Sequence, residues 1–319
     1  MLTRRCNYHC QGCNVWNEPS NREMSTEEIK KGLDILRDLG TVEIVFSGGN
    51  PLLRDDIGDI IDYASRYFVT TVYDNGSMAA KKIDALRKAD FVAISIDSLD
   101  PANNDYIKGV KGAWENAMES VNKLHEEGIN VSVTPTISQL NLYEIIDITE
   151  YFSRKGIPLW YCLYSYDLST DGSQLFKIGK FRDEFAIADR EYMIKLCDEL
   201  ASMKRKKQTI LMTDEILDAM KELYKSGRRK WKCQALRSFL VVDHLGNVSG
   251  CHLHKPVTTI FELPKLWNSQ EFEELRKTYS RCTQCTYLCY IFYSIHAGVI
   301  GNLKIAREQW RNAKLLFRS

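Results

Sequence analysis

The chain has 319 residues, 44% of them hydrophobic, with 43 Lys and Arg against 42 Asp and Glu. That is enough to bury a core for one large or two modest domains, and a net charge of +1 lacks the basic excess of a nucleic-acid binder. The ten cysteines are clustered, with no leader-like segment ahead of them, and so read as reduced metal ligands of a cytoplasmic chain rather than disulfides. No apolar run reaches the length of a membrane span. The nearest, Tyr287 to Gly301, reads as a buried helix, with a peripheral membrane contact as the alternative.

Taken in chain order, the first feature is a cysteine loop, Cys6, Cys10 and Cys13. Thiolates are the soft ligands of zinc and of iron–sulfur clusters. Three on so short a loop can hold three corners of a cubane and leave one iron open, as a catalytic site requires. The spacing alone suits zinc at least as well. Only five residues precede Cys6, which leaves open a longer native N-terminus.

Ser25 and Glu28 form a capping box that opens a helix carrying Ile29, Leu33 and Leu36 on one face, closed at Gly40. A β-branched strand over Val42–Phe46 runs straight into Ser47, Gly48, Gly49, Asn50 and Pro51. A helix over about 55–67 precedes a strand at 68–73 ending in Asp74, Asn75 and Gly76. A helix near 79–89 then leads to a strand ending in Ser95, Ile96, Asp97 and Ser98. A helix from Gly112 to Glu127, a strand over 130–137, a helix from about Leu142 and a strand over 159–164 follow.

Six strand–helix alternations with short, near-continuously apolar strands imply an α/β fold with a parallel sheet under helices. A barrel and an open doubly wound sheet give the same alternation. Residues 165–181 are polar and irregular, a loop over the sheet's C-terminal edge. A charged helix over Arg182–Lys206 and a second one capped by Thr213 and ended by Gly227 come next. The basic runs at 204–207 and 228–230 read as solvated helix ends.

Five of the ten cysteines lie beyond residue 230: Cys233, Cys251, Cys282, Cys285 and Cys289. A hairpin turning at Leu245, Gly246 and Asn247 leads to Cys251, and Leu266, Trp267, Asn268 and Ser269 open a short helix. Four thiolates drawn from both ends of this stretch would staple a domain with little core of its own. A zinc ribbon satisfies the same spacing. Cys162 and Cys197 read as buried structural thiols.

These residues together resemble the radical S-adenosylmethionine (SAM) superfamily, whose signature is C-x3-C-x2-C. The resemblance implies a partial (β/α)6 TIM-like barrel over 1–230 and a small SPASM/Twitch-like domain over 231–319. It implies a 4Fe-4S cluster on Cys6, Cys10 and Cys13 whose open iron binds SAM and cleaves it to a 5′-deoxyadenosyl radical. It further implies an auxiliary 4Fe-4S cluster on Cys233, Cys251, Cys282 and Cys285, with Cys289 as spare or substitute. Gly48, Gly49 and Asn50 resemble the family's Gly-Gly-Glu-Pro turn, where the glutamate accepts from the methionine amino group. Here an amide oxygen must serve instead, without charge assistance.

Ser95 and Asp97 resemble its ribose-binding strand end, and Asn75 and Asn141 further cofactor-proximal positions, for which turn or helix-cap roles are equally apt. Gly12 stands where the family usually has an aromatic residue packed near the adenine. Some members acting on isoprenoid lipids share that glycine. The expected substrate is a peptide or small molecule, with a membrane lipid as the alternative and an electron donor such as flavodoxin or ferredoxin as partner. A non-enzymatic zinc protein with two cysteine sites is the reading from another class.

Overall fold

The computed structural model describes residues 1–18, 20–165, 175–179, 183–206, 209–229, 231–283 and 286–298, with 303, 308 and 310. The capping box at Ser25 is formed in full and opens α1 (Thr26–Asp38). The next elements are β1 (Glu43–Phe46), α2 (Ile57–Ala64), β2 (Val69–Asp74), α3 (Ile83–Leu86) and β3 (Phe91–Ile94). They are followed by α4 (Pro101–Lys108), α5 (Ala113–Glu126) and β4 (Val131–Val133). The four strands make one parallel sheet in chain order.

The single strand expected over 130–137 is broken in two. Pro135 has no amide hydrogen to continue the ladder, so β5 (Thr136–Ile137) pairs instead with β6 (Cys162–Leu163), after α6 (Ile145–Arg154). Bridges from Val133 to Leu159 and from Leu159 to Ile210 join the two pieces, and Thr3 bridges Gly48 at the opposite edge. The result is a curved, open wall of parallel strands, a partial barrel. The strands' β-branched residues meet the helices in one continuous core that includes Ile60, Val72, Val92, Val121, Ile148 and Phe152. Each such side chain contributes roughly 1.5–3 kcal/mol by burial.

α7 (Arg190–Arg205) and α8 (Asp214–Ser226) pack on each other. Lys204 is no solvated helix end. It is buried and pairs with Asp214 at 3.0 Å and Glu308 at 2.6 Å. Beyond residue 230, β7 (Val241–Val242), β8 (Asn247–Ser249) and β9 (Thr258–Thr259) form an antiparallel sheet. Asp243 ties its first turn by accepting from the amides of Leu245 and Asn247.

α9 (Leu263–Leu266) and α10 (Gln270–Ser280) complete a second core of Leu236, Val248, Ile260, Leu263 and Phe272, which also takes in Leu36 of α1. This unit therefore has more core than its cysteine content suggests, because it borrows a barrel helix. α11 (Leu288–Ile295) follows it in sequence yet buries Leu288 and Ile291 in the barrel core, beside α8 and β6. Among the described residues, no helix is long and apolar enough to cross a membrane.

Candidate active site

The glycine pair seats the cysteine loop. The Leu2 amide donates to Ser47 O at 2.8 Å, the Gly49 amide to Thr3 O at 2.9 Å and the Asn50 amide to Arg5 O at 2.8 Å. A Cβ on Gly48 would stand 2.3 Å from Thr3 O, and one on Gly49 2.2 Å from Arg5 O. The space left by their missing side chains is thus filled by the chain's own N-terminal backbone. Arg54, buried, clamps the same segment. It donates to Leu2 O at 3.3 Å, Glu23 at 3.2 Å, Met24 O at 3.0 Å and Asp56 at 2.7 Å.

The loop turns tightly, the Cys13 amide donating to Cys10 O at 3.2 Å. Burial pushes the Cys6 thiol up, and it pushes Cys10 up to about 12 against the opposing pull of Lys108, while Cys6 and Cys13 act on Cys10 electrostatically. Two of the three sulfurs face N–H donors, Cys6 at 3.8 Å from Asn75 Nδ2 and Cys13 at 3.4 Å from the Val15 amide. Three thiols in mutual electrostatic reach, with donors on two and a buried ammonium beside the third, suit an anionic thiolate cluster. Metal replacing the protons would relieve the burial cost. Among the described residues, no three His, Cys, Asp or Glu side chains converge as ligands of a single ion do.

Asn50 is where the geometry departs from expectation. It is fully buried, and its Oδ1 faces the protein, accepting from the Leu52 amide at 2.9 Å to cap a turn at Pro51–Leu53. Its Nδ2 therefore points into the site, 2.7 Å from Asp74 Oδ1 and 3.1 Å from Asn75 Oδ1. The amide oxygen expected to receive an ammonium is turned away.

Asp97 is committed as well. Its Oδ2 takes Lys108 Nζ at 2.6 Å, its Oδ1 takes the Thr136 amide at 2.7 Å, and Lys108 also donates to Ser95 Oγ at 2.6 Å. Burial opposes the charge on Lys108, but the Asp97 carboxylate and the Cys10 thiol outweigh it and hold the ammonium above the ordinary lysine range. Ser95 and Asp97 thus hold a lysine, with one donor on each Asp97 oxygen. Asn141 closes a turn. It donates to Asp97 O at 2.8 Å and Thr136 O at 2.9 Å and accepts from the Ser138 amide at 2.8 Å.

Lys108 is the residue that sequence reasoning missed. It sits at the end of α4, a helix absent from the expected elements. The signal was there in Asp100 and Pro101, an N-cap carboxylate and a proline at the first helical position; Asp100 accepts from the Ala102 amide at 3.0 Å. Gly109 ends α4 in the left-handed region and lets His9 O approach to 2.2 Å of where a Cβ would stand. The helix end and the cysteine loop therefore lock together, with the Gln11 amide on Ile107 O at 3.0 Å.

Gly12 has a local explanation. A Cβ there would stand 2.8 Å from the Tyr164 ring, which packs on Phe185 and donates to Asp183 at 3.1 Å. An aromatic ring is present beside the loop, contributed from the end of β6.

In the second set, Cys251 is buried under Tyr279, whose hydroxyl accepts from the Gly250 amide at 3.2 Å and whose ring fills the place of a Gly250 side chain. Cys282 lies within electrostatic reach of Cys233, and Cys233 and Cys251 both act on Tyr279. Cys285 lies outside the described residues. Cys289 lies on α11. Its thiol is pushed up to about 12 by burial and then by Cys162 of β6, although the residue keeps exposed area. The Cys162 thiol is likewise pushed up to about 12 by burial.

Residues 1–152 match the model of the radical SAM superfamily, and residues 233–290 that of an iron-sulfur cluster-binding domain. The AdoMet-dependent heme synthase of Nitratidesulfovibrio vulgaris is 34% identical over 166 residues, 50% of this chain and 45% of that protein. The antilisterial bacteriocin subtilosin biosynthesis protein AlbA of Bacillus subtilis is 25% identical over 289 residues, 84% of this chain and 60% of that protein. The chain thus spans under half of the first relative and somewhat more than half of the second.

Among solved structures, native anSMEcpe with bound AdoMet and Kp18Cys peptide superposes with a TM-score of 0.67 at 12% identity, covering 98% of this chain and 94% of that one. Streptococcus suis SuiB bound to precursor peptide SuiA gives 0.64 at 17% identity, covering 95% and 71%. At such identities the likeness is one of fold. The two matched ranges span the cysteine loop and the second cysteine set, and the chain belongs to the radical SAM superfamily, with an iron-sulfur cluster-binding domain after the barrel.

Proposed function

We propose that the chain is a radical SAM enzyme that abstracts a hydrogen atom from a peptide substrate. The carrying observation is the meeting of three thiols, a buried lysine and an acceptor-rich amide cluster at the C-terminal ends of the strands, where barrel active sites are built. When bound, a 4Fe-4S cluster and SAM supply a primary carbon radical strong enough to break an unactivated C–H bond. The chain's part is binding, orientation and exclusion of water. Cys6, Cys10 and Cys13 hold the cluster. Lys108 has three N–H donors and spends two on Asp97 and Ser95, so the third is available to the cofactor's carboxylate.

Cys233, Cys251, Cys282 and Cys285 hold an auxiliary 4Fe-4S cluster in this reading, and the domain boundary falls near residue 230. A peptide substrate rests on the alignment with AlbA along 84% of this chain. The lipid reading loses its prompt, because Tyr164 accounts for Gly12 and Leu288 and Ile291 of the apolar segment are buried in the barrel core. The nine described cysteines are free thiols, as suits a reducing cytoplasm, where a flavodoxin or ferredoxin would deliver the electron.

Anaerobic purification tests the reading. A brown protein with about eight irons and acid-labile sulfide is expected, forming 5′-deoxyadenosine with SAM and a reductant, and more of it with the right peptide. A colourless protein with two zincs would end it. Response to a lipid extract and to no peptide would replace the substrate.

A further inference from the structure

The parallel strands have two faces, and the one turned away from the helices is polar. Along β2, Thr70 and Val72 are fully buried, and Thr71 and Tyr73 point the opposite way. β4 alternates likewise, with Val131 and Val133 in the helix-side core and Ser132 opposed. A closed barrel fills its inner face with branched aliphatic side chains; here Thr71, Tyr73, Ser95, Ser132 and Cys162 line it. The direction of Cys162 is fixed by its neighbours. Tyr161 is fully buried with its hydroxyl 2.6 Å from Thr149 Oγ1 of α6, and Leu163 lies in the same helix-side core, so the thiol between them faces inward. Cys162 pairs with Thr136, whose amide donates to Asp97, and the Lys108–Asp97 pair acts on the thiol electrostatically. Thr134 stands beside it, preceding Pro135, whose carbonyl takes the Cys162 amide at 2.8 Å. The Thr134 amide donates to Ile94 O at 2.8 Å, which carries the ladder past Val133 and turns the Thr134 side chain to the inner face. That residue is 3% exposed, and its hydroxyl has no hydrogen-bond partner among the described residues. A buried hydroxyl left unpaired is costly, and this one calls for a polar ligand on the inner face.

We propose that Cys162 is the hydrogen-atom donor that quenches the substrate radical. This deepens the peptide-modifying reading above and rests on it. Abstraction leaves a carbon-centred radical, and ending it without adding a group takes a hydrogen atom. A thiol S–H bond is weaker than an unactivated C–H bond. It breaks homolytically, the hydrogen joins the carbon, and the unpaired electron stays on sulfur. One electron from the flavodoxin- or ferredoxin-class donor that starts the reaction, with a proton from water, then restores the thiol. The substrate loses one hydrogen atom and regains one. Because the cysteine loop sits against Gly48 and Asn75 at the ends of β1 and β2 while Cys162 is on β6, the hydrogen leaves toward one wall and returns from another. The net change is inversion at carbon rather than oxidation. Burial keeps this half-buried thiol up at about 12, so it is an S–H in neutral solution; a thiolate would have no hydrogen to give.

SAM alone probes this, because without a peptide the 5′-deoxyadenosyl radical is itself the carbon radical that the thiol meets. In heavy water the cluster-loaded wild type should form 5′-deoxyadenosine carrying deuterium at the 5′ carbon, drawn from the exchanged S–D bond. The readout is deuterium per 5′-deoxyadenosine formed, which does not depend on rate. Cys162→Ser should lower that ratio about tenfold or more, since an O–D bond is too strong to yield its deuterium to a carbon radical. Cys197→Ser, in the helix-side core, should leave the ratio unchanged. A ratio unchanged in Cys162→Ser, or a wild-type product without deuterium, would overturn the proposal and leave the functional reading standing. Apart from turnover, iodoacetamide should alkylate Cys162 and spare Cys197 in the cluster-loaded wild type, as read from peptide masses. An unmodified Cys162 would take the thiol off the inner face and overturn the proposal, and this arm decides alone should Cys162→Ser fail to fold. Wild-type protein that forms no 5′-deoxyadenosine would overturn the functional reading, and this inference with it.

Discussion

Replacing Lys108 by Met removes the charge of the buried pair while keeping an unbranched stem of similar length. Lys108 and Asp97 side chains are 5% and 6% exposed, and the contact is 2.6 Å. After the change, Asp97 Oδ2 has no donor and Oδ1 keeps only the Thr136 amide, while Ser95 loses the donor on its hydroxyl. Removing one partner of such a pair costs about 3–5 kcal/mol, because the other charge stays buried and uncompensated. Urea unfolding of the metal-free protein should show that loss in the midpoint at unchanged slope.

The double variant with Asp97→Asn should recover much of the loss, a coupling of roughly 1–3 kcal/mol. The sign with pH is fixed by the raised lysine. Its contribution is complete below the ordinary value of 10.5 and fades only as pH rises through the higher folded value, so wild type and variant should converge in strong alkali and not before. A Lys108→Met protein within about 1 kcal/mol of wild type would refute the buried-pair argument, and with it the placement of α4 against the cysteine loop.

Gly49→Ala should unseat the N-terminal segment, since its Cβ would stand 2.2 Å from Arg5 O; a loss of about 1–3 kcal/mol is expected, with iron content falling alongside. Acid should loosen the same segment. Burial would raise the Glu23 and Asp56 carboxyls, but the bonds from Arg5 and Thr3 to Glu23, and from Arg54 and Thr26 to Asp56, prevail and hold them below their ordinary values of 4.5 and 3.8. Their contribution is therefore present above those values and lost as pH falls through the folded ones; amide exchange at residues 2–5 should accelerate there, less steeply in Glu23→Gln. Cys282→Ser should lose about four of eight irons and Cys289→Ser none. The opposite result would put Cys289 in the auxiliary site.

The fold was legible wherever one residue type forces one conformation. The Ser25–Glu28 box, the Thr213 cap and the β-branched strands each appear where local chemistry puts them. What was not legible came from contacts distant in sequence. Pro135 fell inside the strand expected over 130–137, and only the ladder shows that its missing hydrogen hands β5 to β6. α4 was hidden because its apolar face is slight, so Asp100 and Pro101 were its only marks. In the site, what the sequence withheld was the partner of each side chain. Asp97 at a strand end reads as a free acceptor until Lys108, eleven residues on, is seen to take it. Cys289, expected as a spare or substitute ligand, also stands within electrostatic reach of Cys162 on β6, a neighbour its sequence position does not announce.

Two positions looked anomalous in the sequence, Gly12 and Asn50, and both resolve in the same way. At Gly12 the volume missing from the loop is returned by Tyr164, whose ring occupies the approach a side chain at 12 would need. At Asn50 the side-chain amide that replaces a carboxylate donates to Asp74 at 2.7 Å. Neither exchange is visible by comparing motifs position by position, because each partner sits on a different strand. Close packing explains why the pairs must change together. A ring at both 12 and 164 would overfill the same space, and carboxylates at both 50 and 74 would set like charges against each other in a buried site. Both departures thus have a packing or hydrogen-bond partner on another strand. Tyr164→Ala should accordingly open space beside Gly12 and weaken SAM binding, and Gly12→Phe in that background should restore it, whereas Gly12→Phe alone should not be tolerated. Tolerance of Gly12→Phe with Tyr164 in place would show that the two rings do not compete.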